Sequence, residues 1–230
     1  MRMISSMFNS KNFYDMEDLI KLLENPFDNV KTKDEFQKKC EEIATKLFND
    51  YCINCNGKEF YFAEIEFYYW QKEKWKEKWN KVTYARDGYN GGDLFFHLSG
   101  VDICFESSFA DAKFGGILIR SVYVIDGDTK NFISGPLNCK DAILNASICG
   151  SMPKLSKTQN KKNIIPTATY RSLGKKDMEE KIDGALKLCF FDINYINKMN
   201  PAKEWFNKET GVIQIRQGTY NIDKFNANEI

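Results

Sequence analysis

Two glutamates on one predicted strand are the first residues in this sequence that could do chemistry. Glu64 and Glu66 lie within Phe60–Tyr69, an aromatic-rich segment in which polar and apolar residues alternate from Ala63 onward. Alternate side chains of a strand share a face, so Glu64 and Glu66 would point the same way as Tyr68. Charged residues on strands usually face solvent. Flanking aromatic residues would instead enclose these carboxylates, and an enclosed carboxylate can act as a general base toward water.

A second candidate is an arginine at the end of an apolar run. Arg120 directly follows the segment Gly115–Ile119, whose apolar residues predict a strand that begins after two glycines. A buried arginine needs a partner, because an unpaired buried charge is very costly. Two interpretations remain open, namely a structural ion pair with Glu64 or Glu66 and a site arginine beside a catalytic acid.

Histidine chemistry would depend on one residue. His97 is the single histidine and lies among apolar residues at a predicted hairpin, so a hydrogen-bonded structural imidazole competes with a role in proton transfer. The sequence contains no nucleophile elbow, no glycine-rich phosphate loop and no HExxH zinc motif.

The seven cysteines indicate reduced thiols and a cytoplasmic protein. Their number is odd and their spacing irregular, which is not typical of a disulfide framework. Cys52 and Cys55 form a lone CxxC without the further ligands that zinc needs, so structural thiols are expected in preference to metal or redox use. No cofactor is predicted. Residues 1–10 do not have the pattern expected of a signal peptide, and no apolar stretch approaches the length that spans a bilayer.

The charge balance and one aromatic segment indicate whether the chain could bind nucleic acid. Lys+Arg 33 and Asp+Glu 32 leave a net charge of +1, lower than is usual for a protein that grips a long duplex. The segment Trp70–Trp79 interleaves three tryptophans with four lysines. This pattern fits stacking on single-stranded nucleic acid or, on helical periodicity, a surface helix whose tryptophans pack inward.

The remaining patterns predict one α+β domain, a mostly antiparallel curved sheet with flanking helices. Within it, residues 1–57 are expected to form a helical N-terminal extension, 58–150 the core sheet with the candidate site, and 151–230 a basic loop and a C-terminal helix. Helices are expected at Asp15–Leu23, from a capping box of Thr32 and Glu35 through Leu47, at Lys140–Ala146 and at Lys176–Phe191. Turns are expected at Asn49–Gly57, a basic loop at Lys154–Asn163, and strands at Leu94–Leu98, Val101–Glu106 and Ile117–Val124.

Four of these segments together resemble the alkyladenine (3-methyladenine) DNA glycosylase family over about residues 60–146. The family's Glu-x-Glu-x-Tyr strand is matched by Glu64-Ile65-Glu66-Phe67-Tyr68. A strand pair at 94–106 and the apolar strand that ends at Arg120 follow in the family's order. Ser134-Gly135-Pro136 then matches the family's Ser-Gly-Pro before a helix.

The resemblance implies excision of a modified purine from DNA, with the target nucleotide flipped out of the helix. Glu66 would activate water for attack on the sugar C1′, and Arg120 would steady the site. The carboxylate would also stabilise the positive charge that develops on the sugar. The remaining carried-over residues comprise base-binding positions Tyr68, Tyr84, Phe96, His97 and Glu106, and nucleic-acid contacts Leu98, Ser99, Lys154, Lys157, Lys161 and Lys162.

Departures from the family pattern keep other activities open. The family's stacking histidine has no counterpart, and Tyr84 lies where it could supply a ring instead. The tyrosine that the family wedges into duplex DNA aligns with Ser99, beside the apolar Leu98. Glu106 replaces an asparagine that screens the base, and its carboxylate would favour a base with an amino group. The alternatives are a nucleosidase acting on free nucleotides and a non-catalytic protein that binds nucleotide or single-stranded nucleic acid.

Overall fold

The computed structural model describes residues 16–71, 88–108, 110, 113–126, 129–147, 151–171, 188–192, 206–207, 212–215 and 218–221. Over these ranges the chain is an α+β protein whose antiparallel sheet curls into a half-barrel. Its helices are α1 (Glu17–Glu24), α2 (Lys33–Asp50) and α3 (Pro136–Asn145). Its strands are β1 (Tyr51–Cys55), β2 (Lys58–Gln71), β3 (Leu94–His97), β4 (Gly100–Cys104), β5 (Lys113–Asp126), β6 (Thr129–Ser134), β7 (Lys154–Lys157), β8 (Thr167–Arg171), β9 (Leu188–Phe191), β10 (Phe206–Asn207), β11 (Val212–Ile215) and β12 (Gly218–Asn221).

The two longest strands, β2 and β5, form the centre of the sheet. The strands run in the order β10-β11-β12-β8-β9-β2-β5-β4-β3, while β1 joins β2 to β7 and β6 pairs with β5. This arrangement confirms the predicted strands at 94–98, 101–106 and 117–124 and the predicted antiparallel sheet.

Helices α1 and α2 cover one face of the sheet. The predicted capping box is present, since the Glu35 amide donates to the Thr32 hydroxyl and the Glu35 carboxylate accepts from the Thr32 amide. Such a cap is worth about 1 kcal/mol to a helix. An apolar stripe of α2, formed by Phe36, Cys40, Ile43 and Leu47, is buried, and it joins the core that contains Ile65, Phe67 and Tyr69 of β2.

A β-bulge divides β2 into two parts with opposite alternation. The register with β5 shifts on both sides of Glu64. Before the shift Phe60 and Phe62 belong to the main core, and after it the odd-numbered Ile65 does. Tyr61, which precedes the bulge, therefore lies on the same face of β2 as Glu64, Glu66 and Tyr68, which follow it.

Three sequence predictions are wrong. The predicted turn at Asn49–Gly57 contains the strand β1, because its apolar residues are buried between β2 and β7. The predicted loop at Lys154–Asn163 begins with β7. The predicted helix at Lys176–Phe191 ends in β9, whose four residues are all buried between β2 and β8, so both faces of the strand are covered.

Some predictions fall outside the described residues. These include Tyr84, residues 72–79 of the tryptophan- and lysine-rich segment, and residues 176–187 of the predicted C-terminal helix. No helix within the described ranges is both long and apolar enough to cross a bilayer.

Candidate functional site

Glu66 and Arg120 are brought together in a cluster that also contains Glu64. Arg120 Nε donates to Glu64 Oε1 at 2.6 Å, and Arg120 Nη1 donates to Glu66 Oε2 at 2.7 Å. The Glu66 side chain is 0% exposed and that of Arg120 is 13% exposed. Two carboxylates share one guanidinium, so the cluster carries one more negative charge than positive. The fork of guanidinium N–H groups suits such paired carboxylates.

Neighbouring elements fix both ends of this cluster. The Ser121 hydroxyl donates to Glu64 Oε2 at 2.9 Å. The carbonyl of Arg120 accepts the Gly135 amide at 2.8 Å and lies 3.4 Å from the Cys139 thiol. Gly135 has a φ of 98°, a conformation that favours glycine, and Pro136 then begins α3. The Ser-Gly-Pro sequence therefore connects the start of a helix to the strand that carries Arg120.

Tyr68 lies beside Glu66 on the same face. Burial raises the pKa of the Tyr68 hydroxyl well above its usual value, and the charge of Glu66 and a hydrogen bond to it raise the pKa further. Tyr68 consequently stays protonated and can donate to the carboxylate at neutral pH. Glu64, Glu66 and Tyr68 lie on one face of β2, as predicted, because the residues that alternate with them, Ile65, Phe67 and Tyr69, belong to the main core on the other face.

Cross-strand pairing extends this face toward the edge of the sheet. Glu66 pairs with Leu118, Leu118 with Asp102, and Asp102 with Phe95. Directly paired residues point to the same side, so Glu66 and Asp102 share a face. We call the polar side chains Glu64, Glu66, Tyr68, Asp102 and Arg120 the acidic face.

Of the predicted base-binding residues on β3, His97 lies on this face and Phe96 does not. His97 Nε2 is 3.5 Å from Asp102 Oδ2, and the imidazole stacks on Phe95. Phe96 pairs with Val101 and packs against the main core. It lines a cavity of about 840 Å³ on that side, together with residues of α1, the 90–93 segment and β7. The alternation of β3 therefore places the ring of Phe95, not that of Phe96, on the same side of the sheet as the acidic face.

The predicted DNA-contacting residues Leu98 and Ser99 form the exposed tip of the β3–β4 hairpin. Leu98 is 92% exposed. Lys140 of α3 donates to the carbonyls of both His97 and Leu98, at 3.3 and 3.0 Å. These bonds hold the tip against the helix, so that an apolar side chain projects from an anchored turn.

The other predicted contacts are scattered. Glu106 is exposed after β4, and its amide donates to the Leu23 carbonyl. Lys154 and Lys157 line the cavity that also contains Phe96, and Lys157 lies 3.7 Å from Asp18. Lys161 is exposed, 3.9 Å from Asp50. The three lysines therefore do not form a single basic patch beside the acidic face.

Lys162 differs from the other predicted lysines because its amine is buried. Its Nζ lies 3.7 Å from the centre of the Tyr61 ring and 4.0 Å from that of Tyr123. Burial lowers the pKa of Lys162 to about 7, and Asp192, Cys52 and Glu59 oppose this shift. The amine therefore interacts with two ring faces instead of being presented to a phosphate.

The cysteines of the described residues are buried and are not joined in disulfides: Cys40, Cys52, Cys55, Cys104, Cys139 and Cys189. Burial raises the pKa of the Cys52 thiol, and the neighbouring Glu59 raises it further, so this CxxC cysteine is a poor nucleophile at neutral pH. Across the described ranges, no group of three or more His, Cys, Asp or Glu side chains is arranged to hold a metal ion.

Asp102 and Ser121 were missed as candidates from the sequence. Asp102 lies between Val101 and Ile103, so period-two alternation could have placed it opposite the core. Ser121 gave no comparable signal, because the irregular pairing between β2 and β5 decides which residue it meets.

The acidic face combines a held carboxylate, a hydroxyl donor and a permanent cation. A carboxylate in this setting can accept a proton from water and can stabilise positive charge nearby. Comparison of the chain with protein-family models, with curated proteins and with solved structures gives no match.

Proposed function

We propose that this chain hydrolyses the N-glycosidic bond of a modified purine in DNA on a sheet of the alkyladenine DNA glycosylase type. The observation that carries the proposal is the placement of Glu66, which is fully buried, is held by Arg120 and lies beside Tyr68 on an aromatic-rich sheet. These three residues are the ones that the sequence resemblance assigns to water activation, steadying of the site and base stacking.

The chemistry follows from the charges of the cluster. Glu66 accepts a proton from water, whose oxygen attacks C1′ while the bond to the base breaks. Positive charge develops on the sugar as the base leaves, and the excess negative charge of Glu64, Glu66 and Arg120 stabilises it. Arg120 cannot lose its proton at neutral pH, so it keeps both carboxylates in place throughout the reaction.

The test is base release by the purified full chain from duplex and single-stranded oligonucleotides that contain one alkylated or deaminated purine. We expect Glu66→Gln to slow release by about 10²–10⁴-fold, the range typical of a lost general base. Glu42→Gln, which makes the same change on an exposed position of α2, should leave the rate unchanged.

Equal rates for wild type and Glu66→Gln would reduce the cluster to a structural ion pair and overturn the proposal. Base release from free nucleotides carrying the same purines, but not from oligonucleotides, would instead establish the nucleosidase alternative. Tight binding of nucleotide or single strands without base release would establish the non-catalytic one. Thermal unfolding of both variants confirms that any loss of rate is not a loss of fold.

A further inference from the structure

The cavity of about 840 Å³ lies on the core side of β3, opposite to the acidic face, and the proposed reaction does not use it. Its walls are formed by α1, the 90–93 segment, β3 and residues 152–157. Small-molecule sites in proteins typically have volumes of about 300–1,000 Å³. The size of the cavity therefore suits a small ligand, and the chemistry of its lining indicates which kind.

The floor of the cavity is mostly aliphatic. It is formed by Ile20 of α1, Leu94 and Phe96 of β3, and Leu155 of β7. Leu155 is part of the main core, against which Leu94 and Phe96 pack. Phe96 is the only aromatic residue among the described residues that line the cavity, so they offer no second ring between which a nucleobase could stack. This floor suits an aliphatic group, whose burial would favour binding.

The helix α1 and the strand β7 pass the cavity in opposite directions. Near the start of α1, the carboxylate of Asp18 lies 3.7 Å from Lys157 Nζ, at the end of β7. Near the end of α1, a Cβ atom added to Gly92 would lie 3.9 Å from the side chain of Leu23 and 4.0 Å from that of Leu155. The last residues of α1 therefore lie across the cavity from the first residues of β7.

This arrangement brings two opposite charges to the same end of the cavity. Glu24 ends α1 and Lys154 begins β7, and both line the cavity with exposed side chains. The other charged lining residues are already engaged. Lys157 lies in the ion pair at the opposite end, and the carboxylate of Asp93 accepts the backbone and side-chain N–H groups of Asn90 at 2.9 and 3.3 Å. One carboxylate and one ammonium group are therefore presented together to a ligand.

We propose that this cavity binds a free apolar amino acid. The carboxylate of the ligand pairs with Lys154, its ammonium group pairs with Glu24, and its side chain packs on the apolar floor. A zwitterion satisfies both charges, whereas a fatty acid would place a like charge beside Glu24 and an alkylamine would place one beside Lys154. The inference goes beyond the proposed function and does not depend on it, because the cavity and the acidic face lie on opposite sides of the sheet.

The first experiment measures the binding of norvaline, norleucine and 2-aminoheptanoic acid to the full chain by titration calorimetry. Each ligand has one methylene group more than the one before it. We expect the affinity to rise by about fourfold per methylene, because each added group is buried on the floor of the cavity. Equal affinities for the three amino acids, or no saturable binding at millimolar concentrations, would overturn the proposal.

The second experiment tests the two charges separately with norleucine, with hexanoate, which lacks the ammonium group, and with pentylamine, which lacks the carboxylate. Lys154→Met should weaken the binding of norleucine and hexanoate by up to about fivefold, as expected for an exposed ion pair, and should not weaken that of pentylamine. Glu24→Gln should weaken the binding of norleucine and pentylamine to a similar extent and should not weaken that of hexanoate.

The matched controls are Lys58→Met and Glu41→Gln, which make the same changes at exposed positions outside the cavity. Neither should alter the affinity for any of the three compounds. If Lys154→Met and Glu24→Gln each changed all three affinities equally, or changed none of them, the two charges would not bind the ends of a zwitterion and the proposal would be wrong. All of these measurements use binding alone, so their result is independent of whether the chain releases bases from DNA.

Discussion

Two buried cations lie on the same face of the sheet and are solvated in different ways. Arg120 is held by the carboxylates of Glu64 and Glu66 at 2.6 and 2.7 Å. The amine of Lys162 instead lies over the rings of Tyr61 and Tyr123, and it has no hydrogen-bond acceptor within the described part of the chain.

The difference determines which of the two cations stays charged over the ordinary pH range. The guanidinium stays protonated at any ordinary pH and is matched by excess negative charge, so its surroundings are strongly and permanently polar. An amine can give up its proton, and burial lowers the pKa of Lys162 to about 7. The first cluster suits the stabilisation of a developing cation, whereas the second suits structural packing that depends on pH.

The largest effect should come from removing the shared cation. Arg120→Met leaves two carboxylates buried side by side without their guanidinium. We expect a loss of about 3–5 kcal/mol in the free energy of unfolding, measured by urea denaturation at pH 7.

A triple variant is the control for that loss. Glu64→Gln, Glu66→Gln and Arg120→Met together remove all three formal charges, and a substantial part of the stability should return, although activity should not. If Arg120→Met were as stable as wild type, the buried carboxylates of Glu64 and Glu66 would not need the arginine to stabilise them.

Replacing the second cation, Lys162, should have a smaller effect and should increase stability. Lys162→Met removes a buried amine that lacks an acceptor, and we expect a gain of about 1–2 kcal/mol at pH 7. The folded-state pKa of Lys162, about 7, lies below the ordinary lysine pKa of 10.5, so the unfolded chain binds the proton more tightly between these two pH values. As pH rises from 7 toward 9, the free energy of unfolding of wild type should therefore increase relative to that of Lys162→Met, by at most about 1.4 kcal/mol per pH unit.

Unfolding of both proteins at pH 7, 8 and 9 measures this difference. A constant difference, or a variant less stable than wild type at pH 7, would mean that the two ring faces and Asp192 hold the proton against burial. The two clusters would then resemble each other more closely than we propose.

An effect of similar size, but a loss of stability, should come from removing the hydroxyl that supports Glu64. Ser121→Ala removes one hydrogen bond to a buried carboxylate while leaving Arg120 in place. We expect a loss of about 1–2 kcal/mol in the free energy of unfolding, measured by the same denaturation. Ser147→Ala, at a partly buried serine that lies near Cys55, is the matched control. A loss as large as that of Arg120→Met would mean that the hydroxyl, not the arginine, holds the cluster together.

Local patterns predicted the central part of this molecule because local physics decides it. The Thr32–Glu35 capping box and the alternation after Ala63 each depend on residues a few positions apart, and both are confirmed. The β-strand at Leu188–Phe191 could not be recognised, because a strand buried on both faces has no alternation and resembles part of an apolar helix.

Predicting the candidate site required knowledge of strand register. Glu64, Glu66 and Tyr68 follow from alternation within one strand. The choice between Phe95 and Phe96 depends on how β3 pairs with β4. The position of Asp102 relative to Glu66 depends on two further pairings. Such long-range registers arise from turns and bulges that no single segment encodes.

The bulge at Ala63 makes the length of β2 as important as its composition. The residue's carbonyl accepts the amide of Asp192, so the extra position is tied to the end of β9. Deleting Ala63 would turn the glutamates toward the helices and the phenylalanines toward Arg120, although all of these side chains would still be present. Any comparison of related chains should therefore allow a gap at this position, because an ungapped match would pair residues from opposite sides of the strand.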